Sequence, residues 1–344
     1  MKSIKTQWMA SVLAHAKLMP LEVFLTILIS LVSLDPLEAG DHNPHTNWLQ
    51  EARFGLMMHV LPGSKEQLDI IKNFDVETLA EQLEAAGAAY FLLTLGQNSG
   101  FMNSPNSTYD RMAGYQPGER CSTRDLPLDL YKALKPRNIR LMLYLPCQTP
   151  CGDARAQKAF GLAQGNWNQS INMAFAEKWA EVIYHWSARY GDKISGWWFD
   201  GGYQNVGFNN SIAQAYGKAV KRGNAQTIVT FNPGITLIRW TKAEDYTAGE
   251  LNEPFKHLPT GRWLEGSQWH TLSYLGSDWF RRDTRYPAEK WAQWVKNVVA
   301  KKGVVTLDVG PNWNSAHGPI GSISGKQMTQ LKTIRKALFS HTRK

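Results

Sequence analysis

From residue 48 onward the chain alternates between short unbroken apolar runs and longer stretches whose apolar residues recur every three or four positions. The runs are "FGLMMHV" (54–60), "AAYFLLTL" (88–95), "IRLMLYL" (139–145), "ISGWWFD" (194–200), "QTIVTFN" (226–232), "WHTLSY" (269–274) and "GVVTLDVG" (303–310). Consecutive apolar positions, rather than apolar and polar in alternation, predict strands covered on both faces in a parallel sheet. The stretches between them predict amphipathic helices over 75–87, 128–138, 173–191, 212–223 and 288–303. Several of these end on Gly, the residue that most readily takes the left-handed turn closing a helix.

Seven strands, with an eighth near "AEDYTAGE" (243–250), alternating with the helical patterns, predict one (β/α)8 barrel over residues 41–344. No Gly-rich phosphate loop follows the first strand, which counts against a nucleotide-binding doubly wound sheet. In such a barrel the C-terminal ends of the strands form the functional face. Those ends carry His59, Gln97, Asn98, Tyr144, Asp200, Asn232, Glu250 and Asp308, a polar set drawn from separate parts of the chain. Asp200 stands out because the run "SGWWFDGGY" is otherwise apolar and aromatic. An unpaired buried carboxylate is expensive, so something must offset its desolvation. Either Asp200 caps a loop or it is a catalytic carboxylate at the barrel mouth.

The first 40 residues read differently. Three lysines within "MKSIKTQWMASVLAHAK" precede the apolar run "LEVFLTILISLVSL" and the polar stretch "DPLEAGDHNPH". This basic, apolar, polar order predicts a secretory signal and a secreted or periplasmic protein. The run is about 14 residues, short for a membrane span, and an uncleaved membrane anchor is the alternative. Export would permit two of Cys121, Cys147 and Cys151 to pair. The C-x3-C spacing of "CQTPC" has no nearby Cys or His partners, so no metal site is expected.

Composition narrows the partner class. The net charge is +9, but the basic residues are dispersed, as in "KPRNIR", "KAVKR" and "WFRRDTR", with no nucleic-acid motif. Nucleic acid is therefore not expected as a partner, whereas an anionic polysaccharide suits the charge. Fourteen tryptophans point the same way, because aromatic faces stack on the apolar faces of sugars.

An ordered series of segments carries a family resemblance: "ARFGLMMHV", "FDVETLAEQLEAAGAAYFLLTL", "GF", "DLPLDLYKALKPRNIRLMLYL", "WWFDGG", "EDYTAGE" and "KKGVVTLDVGPN". Together, from about residue 48 to 320, they resemble glycoside hydrolase family 29, the α-L-fucosidases. The resemblance implies a (β/α)8 catalytic barrel and hydrolysis with retention through a covalent glycosyl-enzyme intermediate. About 30 residues follow "LDVGPN", which implies the barrel without the β-sandwich that usually follows it. It further implies Asp200 as nucleophile and Glu250, the last residue of "DYTAGE", as acid/base. Glu265 in "RWLEGSQW" is the second choice for the acid/base, after a subgroup in which a later Glu serves. Substrate contacts are expected from His59, Gln97, Asn98, Tyr144, Trp198, Asn232, Glu265 and Trp269. A carboxylate pair performs this chemistry unaided, so no cofactor is expected.

Three departures bear on the sugar. The family's "HHDGF" is "GQNSGF" here, placing Gln97 and Asn98 at two histidine positions. "HVLPGS" replaces the family's "HWG", keeping His59 and losing its Trp, and "FNPG" lacks a family Arg. Amides still read hydroxyls, but in another pattern, which suits a related L-sugar or a decorated fucose. A carbohydrate-binding protein that no longer hydrolyses, on the same barrel, is the competing reading.

Overall fold

The computed structural model describes residues 42–148, 152–162 and 170–339. Apart from His42, these belong to one unit, Asn43–Lys344. The basic and apolar N-terminal segments lie outside the described residues, as does Cys151. Cys121 and Cys147 are buried free thiols. Among the described residues no helix is long and apolar enough to cross a membrane.

The apolar runs form parallel strands. These are β1 (Phe54–Met58), β2 (Tyr90–Thr94), β3 (Arg140–Pro146), β4 (Ile194–Asp200), β5 (Ile228–Phe231), β8 (His270–Tyr274) and β9 (Val304–Val309), while β6 (Trp263–Leu264) and β7 (Ser267–Gln268) form a separate antiparallel hairpin before β8. One curled sheet runs in the order β5-β4-β3-β2-β1-β9-β8. Almost every residue of its strands is buried, which is why the runs are apolar at consecutive positions. Six main helices lie among them: α1 (Val76–Ala86), α2 (Leu126–Leu134), α3 (Met173–Tyr190), α4 (Asn210–Gly223), α5 (Ala288–Ala300) and α6 (Gly325–Phe339). Asp75, Asp125, Asn172 and Asn209 cap the first four through their side chains, supplying acceptors for amides that the first turn leaves unpaired. Gly87 closes α1 in the left-handed conformation at φ 72°.

The expected eighth strand is not a regular one. Residues 245–251 run beside β7 and β8 but make only two isolated bridges, Tyr246 with Gln268 and Glu250 with Leu272. Side-chain hydroxyls account for the interruption. Thr247 Oγ1 donates to the His270 carbonyl and accepts from its amide. Thr271 Oγ1 and Ser273 Oγ donate to the carbonyls of Gly249 and Leu251. These side chains take bonds that main-chain groups make in a regular ladder. At its start the segment also reaches β5, where the Asp245 amide donates to the Val229 carbonyl at 2.8 Å.

Two apolar clusters result. The larger lies between the outer face of the sheet and the helices. The smaller fills the inner face, with Met57, Leu92, Met142, Tyr144, Trp198, Ile228, Leu272 and Val304 from the strands and Tyr246 and Ala248 from the irregular segment. The β3–β4 register pairs Tyr144 with Trp198 and Pro146 with Asp200. Asp200, two residues beyond Trp198, therefore points to the same inner face.

Candidate active site

A cavity of about 150 Å³ opens above that inner layer, lined by His59, Gln97, Tyr144, Trp198, Asp200, Tyr203, Glu250, Trp279 and Phe280 over a floor of Met57 and Leu272. Ligand pockets for drug-sized molecules run to roughly 300–1,000 Å³. This one suits a single ring-sized group.

Asp200 sits at its centre among donors. Its Oδ1 accepts from the Gly201 amide at 2.8 Å and from Asn232 Nδ2 at 2.9 Å. Its Oδ2 accepts from the Tyr144 hydroxyl at 2.5 Å and, more weakly, from Gln97 Nε2 at 3.4 Å. Four donors and no acceptor are the surroundings of an ionised carboxylate. The two glycines after it now have a local reason. Gly201 takes φ 72° so that its amide can turn back onto Oδ1. Gly202 lies against the Asn232 carbonyl, which its own amide bonds at 2.9 Å. Burial first, then the adjacent Asp200 charge, pushes the Tyr144 hydroxyl well above its ordinary range, so it stays a neutral donor. Its ring stacks on Trp198 at 5.3 Å, which fixes where the hydroxyl points.

Glu250 faces Asp200 from the irregular segment. Asn232 Nδ2 hydrogen-bonds Glu250 Oε2 as well as Asp200 Oδ1. One nitrogen bonded to both places the nearest carboxylate oxygens no farther apart than two hydrogen-bond lengths, roughly 6 Å. The environments of the two carboxyls differ. Burial, and secondly the Asp200 charge, pushes Glu250 up to about 7, opposed by the Asn232 bond and by His59. A proton can therefore reside on Glu250 near neutral pH while Asp200 is held by donors.

His59 closes the β1 side. Burial, the largest influence, would depress its pKa, but Asp308, whose Oδ1 lies 2.9 Å from Nδ1, together with the charges of Asp200 and Glu250 raises it overall. With Nδ1 engaged, Nε2 is the nitrogen left for a ligand. The other Asp308 oxygen accepts from the Phe280 amide at 2.7 Å. That bond helps hold Phe280 at φ 53°, uncommon for a bulky residue, with the residue 47% exposed at the rim.

The structure thus gathers His59, Gln97, Tyr144, Trp198, Asp200, Asn232 and Glu250 and leaves three expected residues outside. Glu265 is exposed at the β6–β7 turn, before β8 begins, and so at the opposite end of the sheet from the end of β4. Its carbonyl accepts from the Arg239 guanidinium. Trp269 lies at that same end, buried in the core shared with the helices. Asn98 does not line the cavity, and its carbonyl accepts from the Gly152 amide at 2.6 Å. Tyr203, Trp279 and Phe280 were missed. Trp279 and Phe280 lie within the basic stretch "WFRRDTR", just beyond the C-terminal end of β8 and at the same end of the sheet as Asp200.

A family model described as α-L-fucosidase matches residues 65–338. Among solved structures, the chain is similar to the endo-fucoidan hydrolase MfFcnA4 from glycoside hydrolase family 107, at 16% identity and TM-score 0.66. That match covers 86% of this chain and 54% of the other, so this chain spans about half the length of that hydrolase. α-L-Fucosidase isoenzyme 1 from Paenibacillus thiaminolyticus matches at 17% identity and TM-score 0.61, over 85% of this chain and 75% of that one. The α-L-fucosidase AlfC from Lactobacillus casei, in complex with its α-L-fucose product, matches at 15% identity and TM-score 0.61, over 88% of this chain and 100% of that one. At these identities the likeness is one of fold. No curated protein matches the chain.

Proposed function

Because this chain belongs to the α-L-fucosidase family of glycoside hydrolases, we propose that it hydrolyses an α-L-fucoside, or the glycoside of a related L-sugar, with retention of configuration. The observation that carries the reading is the Asn232 amide shared by two carboxyl groups, of which burial and the neighbouring charge push Glu250 up to about 7. Retaining glycosidases hold their carboxyls about 5–5.5 Å apart, whereas inverting ones leave about 6.5–9.5 Å for a water. A shared donor suits the first spacing.

In the first step an Asp200 oxygen attacks the anomeric carbon, and the bond to the leaving oxygen breaks as Glu250 gives that oxygen its proton. In the second, Glu250 takes a proton from water, whose oxygen displaces Asp200 and restores both groups. Gly201, Asn232 and Tyr144 hold Asp200 in place through both steps. His59 Nε2 and Gln97 would meet sugar hydroxyls, and the rings of Trp279 and Phe280 would cover its apolar edge. Gln97 already donates to the Tyr144 hydroxyl at 2.5 Å, so it supports the nucleophile's neighbour as well as the sugar. We read the curled sheet as a (β/α)8 barrel in which residues 245–251 serve as the missing stave, supported by their bonds towards both β5 and β8.

The test is turnover of aryl glycosides of α-L-fucose, α-L-galactose and other L-sugars, with the anomer released first identified by NMR. Release of the α-anomer is expected, and a first-formed β-anomer would exclude retention. We also read residues 1–40 as an export signal, on their basic, apolar, polar order. N-terminal sequencing of the processed protein checks this, and an intact Met1 on membrane-bound protein replaces export by anchoring.

Asn232→Ala tests the bridge separately. The bond from Asn232 favours the charged form of Glu250, so its loss raises the pKa of Glu250. The alkaline limb of kcat/KM, measured with a leaving group that needs protonation, should move upward from about 7. A limb that stays in place means that Glu250 is not the group titrating there.

A further inference from the structure

A second cavity of about 490 Å³ adjoins the first and shares His59 and Phe280 with it. Its remaining walls are Leu61, Arg281, Arg282, Pro311 and Trp313. Two arginines line it and no carboxylate does. Asp278 and Asp283, in the same loop, are not in its walls. Arg281 is exposed beside the Phe280 ring, 5.8 Å from its centre. Arg282 is half-buried; one Nη donates to Asn312 Oδ1 at 3.1 Å, and its Nε is buried without a partner. An aromatic wall paired with guanidinium groups has a specific chemical preference. The ring takes the apolar face of a sugar, and the planar fork takes an oxyanion with two parallel hydrogen bonds.

We propose that this second cavity is a subsite for an anionic sugar unit, one bearing a sulfate ester or a carboxylate, joined to the residue held in the catalytic cavity. The inference rests on the glycosidase reading, because it places the anionic unit next to the scissile bond. The catalytic cavity has room for one ring, so the adjoining unit is the leaving group. Trp313 supports its face, Arg281 and Arg282 bind its anion, and Phe280 separates the two sugars. The substrate class then becomes a fucoside, or related L-glycoside, of an acidic saccharide.

The test compares three fucosyl disaccharides whose second sugar is neutral, sulfated or carboxylated, with an aryl α-L-fucoside as reference. The quantity read is the ratio of kcat/KM for an anionic disaccharide to that for the neutral one, within each protein. A ratio of about ten or more is expected for the unmodified protein at low salt, and the anion that gives it identifies the group. Arg281→Gln should bring the ratio towards one. So should raising the salt from about 0.02 M to about 0.5 M, which needs no variant to fold. If the aryl fucoside is cleaved but the three disaccharides are cleaved equally, the subsite is wrong while the glycosidase reading stands. A ratio that survives both Arg281→Gln and high salt also overturns the subsite. If no aryl fucoside is cleaved, the glycosidase reading fails, and the affinities of the same disaccharides decide the cavity alone. Equal affinities then overturn the subsite.

Discussion

Asp200→Ala is expected to lose aryl α-L-fucoside turnover by far more than about a hundredfold while the protein stays folded. The other carboxyl lining the cavity is Glu250, pushed up to about 7 and assigned above to the leaving oxygen, which leaves none to attack in its place. The fold should survive because Asp200 ends β4 and its side chain bonds mainly residues of the cavity. Its backbone, whose carbonyl accepts from the Cys147 amide at 2.7 Å, is untouched by the substitution. Azide makes the test specific. With the carboxylate gone, azide can enter the space beneath the anomeric carbon and displace an activated leaving group from that face. The product is then a glycosyl azide of inverted configuration. Residual turnover above about 1% of the unmodified rate contradicts a nucleophile role. A folded, inactive variant that azide restores with retained configuration would assign Asp200 to the acid's task instead.

Glu250→Ala should show the complementary pattern. Burial and the Asp200 charge hold Glu250 near 7, so in the unmodified enzyme kcat/KM falls as pH rises through that value and the acid loses its proton. The variant lacks the proton donor, and the alkaline limb should vanish with it. For a dinitrophenyl leaving group, which needs no proton, the first step is expected to proceed almost as before. The second step loses its general base, so the glycosyl-enzyme on Asp200 should accumulate, visible by mass spectrometry as a burst of labelled protein. Azide needs no base, and it should discharge that intermediate to a glycosyl azide of retained configuration. Opposite product stereochemistry at Asp200 and Glu250 is thus the signature of the paired assignment. Glu265→Ala is the control, expected to leave rate, pH profile and azide response unchanged, since Glu265 is exposed at the opposite end of the sheet. Azide rescue of Glu265→Ala, with none for Glu250→Ala, would exchange the two roles.

The difference between Glu250 and Glu265 shows where reading along the chain stops. Both follow apolar or aromatic residues in short segments near the expected eighth strand, and both suit a family acid/base position. What separates them is the hairpin Trp263–Gln268, which turns the chain at Glu265 before β8 starts. A two-residue strand on each side of a turn leaves almost no periodicity to detect. The irregular stave has a related cause. Thr247, Thr271 and Ser273 replace main-chain partners by hydroxyls, and no local pattern distinguishes a hydroxyl that pairs across strands from one that faces water.

By itself, the sequence determined the seven parallel strands, the helices between them and the end of each strand that faces the site. The reason is local: a strand buried on both faces must be apolar throughout, a helix packed on a sheet must be apolar on one side, and caps mark where each stops. It also placed Asp200 at a strand end with glycines behind it, because a carboxylate in such a run needs donors close by. Only the tertiary structure decided which polar ends meet. Asn232 joins Asp200 to Glu250 across 32 and 18 residues of chain, and His59 finds Asp308 at a separation of 249. Those contacts arise from curling the sheet, which brings strands far apart in sequence around one cavity. The same curvature set the burial that lifts the Glu250 proton towards neutrality and left the aromatics after β8 at its rim. Distance and desolvation are properties of the curled arrangement, and the order of residues along the chain does not carry them.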